Sequence, residues 1–260
     1  MEIVLLGSGN IATHLGKAFK MAGQNITQVW SRNFDKALEL ADAVGAAPIS
    51  SLTNINSKAD LYIIAVNDDA IRTIAENLKI EKGTLVHTSG TSGLNILDGV
   101  TLNTGVFYPV QTFSKSKPVD LRLVPVAIEG STTEITDFLV YAASRISEKV
   151  ISMNSVQRRA VHVAAVFACN FTNHMYALAH ELLKEQDLSF DLLRPLIWET
   201  ALKIQTSDPI NVQTGPALRD DKSTIVQHLR LLDNHPELKE LYEKLSQSII
   251  NYEKINNGLA

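Results

Sequence analysis

The feature that most restricts this chain is the junction at its start, where an apolar run, E-I-V-L-L-G, passes through G-S-G-N-I-A (residues 7–12) into a helical pattern over 11–22. A strand, a glycine turn and an amphipathic helix in that order read as the opening of a βαβ unit. The pattern then repeats. I-T-Q-V-W-S is followed by helical spacing over 35–44, and A-D-L-Y-I-I-A-V by helical spacing over 70–78. Next come G-T-L-V-H-T, G-V-F-Y-P-V and V-P-V-A-I-E-G, a helix near 134–147 and a short E-K-V-I-S-M. Such alternation with brief connections predicts parallel strands joined by right-handed crossovers.

The expected fold class is α/β: an N-terminal doubly wound (Rossmann) sheet domain over residues 1–152, followed by an all-α domain over 153–260. In that setting the opening junction has a chemistry. Gly7 allows a tight turn at the strand's end, Gly9 lets backbone approach a pyrophosphate, and Ala12 is small enough for the helix to pack on the sheet. The backbone of Ser8, Asn10 and Ile11 then faces the anion at the helix N-terminus. A glycine turn without ligand is the plain alternative, and its placement between strand and helix weighs against it.

Selectivity comes from the second strand's end. An NAD site places an acid there for the ribose 2′-hydroxyl, but this segment reads Trp30-Ser31-Arg32-Asn33, with no acid before Asp35. Ser31 and Arg32 suit a 2′-phosphate, because guanidinium offers a planar fork of donors, so the expected cofactor is NADP. Arg32 as an ordinary surface residue is the alternative. Ala65, Val66 and Asn67 close the fourth strand and are expected beside the nicotinamide, while Asp68 and Asp69 read as helix caps. His87-Thr88-Ser89-Gly90 ends the fifth strand; Ser89 would face the cofactor, and His87 is either an acid or a buried histidine bonded to backbone.

Beyond residue 152 the alternation stops. Residues 155–184 read as one long helix whose middle, A-V-H-V-A-A-V-F-A-C-N-F, is apolar nearly all round. Such a helix is buried on every side, inside a helical domain or against a second subunit. His162, Cys169 and Asn173 fall on one stripe, and Asn170 pairs with His174 at i, i+4; His162 and Asn170 are the candidates for lining a cleft. A second helical stretch covers 187–205, Pro236 opens the last helix, and the T-G-P-A-L-R-D-D segment from Thr214 is either a plain helix start or an anion site using Arg219.

Composition excludes several classes. A net charge of −4 supplies no cationic face for nucleic acid. No aliphatic run is long enough to span a bilayer and no leader pattern opens the chain, which points to the cytoplasm. Cys169 is the only cysteine, so no intrachain disulfide forms. There is neither a His-Glu-x-x-His motif nor a cysteine pair, so no metal is expected, and the Gly-x-Ser-x-Gly elbow of serine hydrolases is missing.

Taken together, G-S-G-N-I-A, V-W-S-R-N, I-A-V-N-D-D-A-I, V-H-T-S-G, F-Y-P-V-Q-T-F, H-V-A-A-V-F-A-C-N-F and T-G-P-A-L-R-D-D occur in this order in a family of bacterial Rossmann-like proteins. The chain resembles that family, described as NADP oxidoreductases with a C-terminal helical domain of unknown function, over almost its whole length. More distantly it is similar to pyrroline-5-carboxylate reductase, ketopantoate reductase and the β-hydroxyacid dehydrogenases. The resemblance implies a hydride donor, a cleft between the domains and a homodimer formed through the helical domain. Gly7, Gly9, Ser31 and Arg32 match the cofactor pattern residue by residue.

The substrate side departs from the pattern. Several relatives carry a catalytic lysine four residues before the asparagine equivalent to Asn170, and here that position is Val166. Tyr108-Pro109 stands where relatives often have His-Pro, and Arg219-Asp220-Asp221 where they often have Arg-Gly-Asp. An acid or base must then come from His162, His87 or Tyr108. The leading expectation is an NADP(H)-dependent oxidoreductase acting on a small carbonyl, imine or hydroxy-acid substrate, with His162 exchanging the proton and Asn170 and Ser89 orienting the substrate. A non-catalytic NADP-binding sensor or scaffold is the other reading, and a transferase on a similar sheet the weakest.

Overall fold

Strand β1 (Glu2–Leu6) buries both its faces, and that alternation sets the layers of the molecule. In the computed structural model, which describes residues 1–256, Ile3 and Leu5 pack with Leu15 and Phe19 of α1 (Asn10–Met21) on one face of the sheet. Val4 and Leu6 pack with Tyr62 and Ile64 of β4 (Leu61–Ile64) on the other. A strand covered on both sides is what a sheet flanked by helices requires. Gly16 lets α1 come close: a Cβ there would lie 2.8 Å from Leu5 Cδ1.

The remaining strands are β2 (Asn25–Trp30), β3 (Ala47–Ile49), β5 (Thr84–His87), β6 (Thr104–Pro109), β7 (Val126–Gly130) and β8 (Val150–Ser152). Their order across the sheet is β3-β2-β1-β4-β5-β6-β7-β8. Helices α2 (Phe34–Val44), α3 (Asp68–Glu76) and α4 (Thr133–Ser144) fill the crossovers. Asn33 caps α2 by accepting from Lys36 N at 3.1 Å, and Thr132 caps α4. The fold is therefore the α/β doubly wound sheet that the sequence pattern predicts. The chain runs outward from β1 to β3 and then returns to β1's other side as β4, which makes β1–β4 the switch point where ligands of such sheets bind.

One pairing differs from expectation. β7 is antiparallel to β6, with Val106 opposite Glu129 and Tyr108 opposite Ala127. The 110–125 link holds only a short 3-10 turn (Leu121–Leu123), and without a crossover helix the chain has no route back to the other end of β6.

The predicted long helix is interrupted. α5 (Ser155–Ala165) starts from a capping box formed by Asn154 and Gln157, then a π-helical segment (Val166–Phe171) leads into α6 (Thr172–Lys184). The Thr172 hydroxyl donates to the Phe167 carbonyl at 3.1 Å across the widened turn. A π turn adds one residue and rotates the remainder of the helix by about 100°. His162 therefore does not share a stripe with Cys169 and Asn173. The helix is also not buried on every side: Phe167 is 65% exposed and Phe171 48%.

By its contacts the chain divides into two compact units, residues 1–175 and 176–260. The second contains α7 (Arg194–Lys203), with Pro195 in its first turn, α8 (Lys222–Leu231) and α9 (Pro236–Asn256). Asp221 starts α8 by accepting from Thr224 N at 3.1 Å, so the Gly-Pro segment before it serves as a helix start. His228 Nδ1 meets the Tyr242 hydroxyl at 2.9 Å and joins α8 to α9. No helix among the described residues is long and apolar enough to cross a membrane.

Candidate functional site

The carboxyl ends of β2, β1, β4 and β5 are drawn into one line by backbone hydrogen bonds that continue past the strands. Gly7 N donates to Trp30 O at 2.7 Å, Ala65 N to Leu6 O at 2.8 Å and Thr88 N to Ile64 O at 3.1 Å. This line brings the predicted residues Gly7–Ile11, Ser31, Ala65–Asn67 and Ser89 onto one edge of the sheet. Gly7 has φ +131°, and a Cβ on it would sit 2.1 Å from the Ala65 carbonyl oxygen, so no other residue fits between β1 and β4. Around Gly9 the opposite holds: a Cβ built there meets nothing within 4 Å.

The first turn of α1 has no side-chain cap and no acidic residue, which leaves its N–H groups and the positive end of the helix dipole to an external anion. The Ser8 hydroxyl donates to Ser31 Oγ at 2.8 Å and ties the turn to the end of β2. Asn10 turns its side chain away, donating to Phe113 O at 2.8 Å, so its backbone is what remains for a ligand. His14 reaches the neighbouring Ser114 carbonyl at 3.0 Å, and the two bonds hold the 112–118 loop against α1. Arg32 is exposed and, among the described residues, makes no hydrogen bond or ion pair.

The loop after β5 is held from several sides. Ser89 Oγ donates to Asp68 Oδ2 at 2.7 Å, and the Thr91 hydroxyl reaches the same oxygen. Ser89 Oγ also accepts from Thr91 N and Ser92 N at 3.1 and 2.9 Å. Its hydroxyl is thus fully engaged, and Asp68 is a clasp between α3 and this loop as well as a helix-start residue. Val66 and Asn67 lie at the head of α3, and Asn67 makes no side-chain cap there.

His87 sits beneath the loop with no exposed surface. Its Nδ1 accepts from Ser89 N at 3.2 Å, which places the proton of the neutral ring on Nε2. That atom is buried and has no hydrogen-bond partner among the described residues. Burial, aided by the Arg158 charge, pushes the imidazole down to about 4.

His162 is half-buried, and its Nδ1 meets the Tyr108 hydroxyl at 3.2 Å with the two rings edge to face. Both press on Gly90: a Cβ there would lie 2.6 Å from His162 Nδ1 and 2.9 Å from the Tyr108 ring. Burial raises the Tyr108 phenol, which keeps it a donor at neutral pH. Asn170 is not brought to this cluster. It lies eight residues further along, about 12 Å of helix rise, within the π segment, exposed and without a hydrogen bond among the described residues.

Sequence reasoning missed Arg158. It is the one buried residue of α5, its guanidinium paired with Glu129 of β7 and donating to the Ser92 carbonyl and the Ser155 hydroxyl. Ser155 in turn donates to Glu129 through both its N–H and its hydroxyl, at 3.0 and 2.7 Å. The network fixes α5, and with it His162, to β7 and the β5 loop. Two adjacent arginines carry no mark of which one turns inward; only the strand acid at Glu129 hinted at a partner.

Comparisons with known proteins bear on the family and the fold. Residues 2–87 match the family described as NADP oxidoreductase, coenzyme F420-dependent, and residues 124–249 match a domain of unknown function, DUF2520. A solved Bacteroides fragilis protein named "putative NADP oxidoreductase" is 46% identical over 96% of this chain and 98% of its own, with a TM-score of 0.88. An imine reductase from Myxococcus stipitatus, solved with NADP+, is 15% identical over 99% of this chain and 95% of its own, TM-score 0.62. A 1-pyrroline-5-carboxylate reductase from Streptococcus pyogenes is 13% identical over 96% and 98%, TM-score 0.63. The last two share the fold alone. Among curated proteins nothing matches. With an opening turn suited to a dinucleotide and a relative this similar along its full length, the chain belongs to the family of NADP oxidoreductases that carry this C-terminal domain of unknown function.

Proposed function

We propose that this protein is an NADP(H)-dependent oxidoreductase that transfers a hydride to or from a small carbonyl, imine or hydroxy-acid substrate, with His162 exchanging the proton. The residues present fit the cofactor. The open face at Gly9, the uncapped first turn of α1 and Arg32, which has no partner among the described residues, beside Ser31 support a cradle for a pyrophosphate and a 2′-phosphate. Gly7, Ser8, Gly9, Asn10 and Ile11 would hold the pyrophosphate, mostly by backbone, Ser31 and Arg32 the 2′-phosphate, and Ala65, Val66, Asn67 and the Ser89 backbone the nicotinamide end. The cofactor supplies the hydride.

The observation that carries the reading is the Tyr108–His162 pair seated on Gly90, at the end of β5 where the nicotinamide half of such a cofactor belongs. As the imidazolium, His162 donates Nδ1–H to the Tyr108 hydroxyl and gives its Nε2 proton to the substrate's oxygen or nitrogen, which leaves a neutral ring. His87, fully buried, supports the loop from below, and Asn170 stands apart from the pair, within the π segment.

The exposed apolar residues of the helical region, among them Phe167, Leu196 and Trp198, support a homodimer formed there. We place the protein in the cytoplasm. The competing reading, a non-catalytic NADP sensor or scaffold, is favoured by one observation: no lysine occurs on the helix between Ser155 and Glu181.

Calorimetric titration with NADPH and NADH, followed by NADPH oxidation at 340 nm over carbonyl and imine compounds, tests the proposal. NADPH should bind more tightly than NADH, Arg32→Ala should cost roughly 1.5 to 3 kcal/mol of that binding, and His162→Ala should lower kcat by about 100-fold or more. Binding without turnover on any compound would favour the sensor; failure to bind either nucleotide would remove both readings.

A further inference from the structure

The two arginines at the head of α5 are used in opposite ways. Arg158 is buried on Glu129, whereas Arg159 is exposed and, among the described residues, makes neither a hydrogen bond nor an ion pair. Three residues before His162, it lies on the same side of the helix, with Cβ atoms about 5–6 Å apart. A Cβ built on Gly93 would come within 3.8 Å of Arg159 Nη1, as one built on Gly90 would press on His162 Nδ1. The two side chains therefore stand at the two ends of one short loop, residues 90–93.

The carboxylates around that loop are already committed. Asp68 accepts from Ser89 and Thr91, and Glu129 is held by Arg158 and Ser155. Neither neutralises Arg159. A guanidinium left without a counter-charge one helical turn from a proton donor suits a planar oxyanion, which it grips with two parallel hydrogen bonds.

We propose that Arg159 anchors the substrate's carboxylate, so that the substrate is a small oxo or imino acid whose carboxylate lies close to the carbon being reduced. The proposal rests on the oxidoreductase reading above and narrows its substrate class. In the reducing direction the hydride adds to the C=O or C=N carbon, the π electrons take a proton from His162 at oxygen or nitrogen, and the carboxylate is unchanged.

Two measurements on the NADP-loaded protein separate the anchor from the chemistry. The probes are pyruvate, 2-oxoisovalerate, phenylpyruvate and Δ1-piperideine-2-carboxylate, each beside its methyl ester. Phenylglyoxal modification read by peptide mass spectrometry should show Arg159 protected by at least one acid and not by its ester. In NADPH oxidation, Arg159→Ala should raise KM for that acid by about 10- to 100-fold while leaving the ester unaffected, and Arg159→Lys should fall between. Equal protection by acid and ester, no protection by any acid, or an acid preference that survives Arg159→Ala would overturn the anchor. Protection by an acid with no oxidation of NADPH would instead uphold the anchor and sink the reductase reading.

Discussion

At the scale of single residues, the most telling is His87, because its surroundings decide its charge. The ring is held near 4 in the folded chain against 6.5 for a free histidine, so the folded state resists a proton that the unfolded chain accepts. Its stabilising contribution is complete above about pH 6.5 and is lost as pH falls toward 4, by about 3 kcal/mol in all. Denaturant midpoints measured between pH 4 and 8 should fall on the acid side in the wild type and fall less in His87→Gln; equal slopes in the two proteins would refute this. Residues of this kind divide by how well the sequence reveals them. Gly7 is legible because the turn between a strand and a helix demands a glycine there, and the positive φ and the close approach of the Ala65 carbonyl meet that demand. His87 was open between acid and buried core, since one strand residue looks the same in either role until the sheet covers it.

Elements carry the next level of explanation, and here Arg158 is decisive. It joins α5 to β7 through Glu129 and to the β5 loop through the Ser92 carbonyl, so three elements that share no sequence neighbourhood meet on one guanidinium. Arg158→Ala leaves Glu129 without its cation and should cost about 3–5 kcal/mol in denaturant unfolding. Joining it to Glu129→Leu, as Arg158→Met/Glu129→Leu, should restore much of that stability without restoring activity, because an apolar pair fills the space but does not grip the loop. A double variant as active as the wild type would show that the network has no part in positioning His162. The opening βαβ pattern was readable from periodicity alone. The antiparallel β7 and the π segment were not: the first depends on what the 110–125 link lacks, and the second shifts a helix's phase without altering its composition.

At the scale of the whole molecule, the two units differ in how much they bury. The sheet unit holds nearly all of the buried apolar residues, while the helical region leaves Leu196 64%, Trp198 70% and Leu231 79% exposed. Light scattering after size exclusion should give twice the chain mass, and Trp198→Asp should shift the protein toward the monomer; a monomeric wild type at micromolar concentration would exclude the proposed dimer. The sequence shows an apolar middle in the 155–184 helix, but not what covers it, because a hydrophobic face reads alike against its own chain and against another. The uncovered surface also ties the molecule's durability to its abundance. Where a second copy seals what one chain leaves open, each tenfold dilution removes part of the free energy that keeps both copies folded, so the heat tolerance of such a protein is a property of the population and not of the single chain.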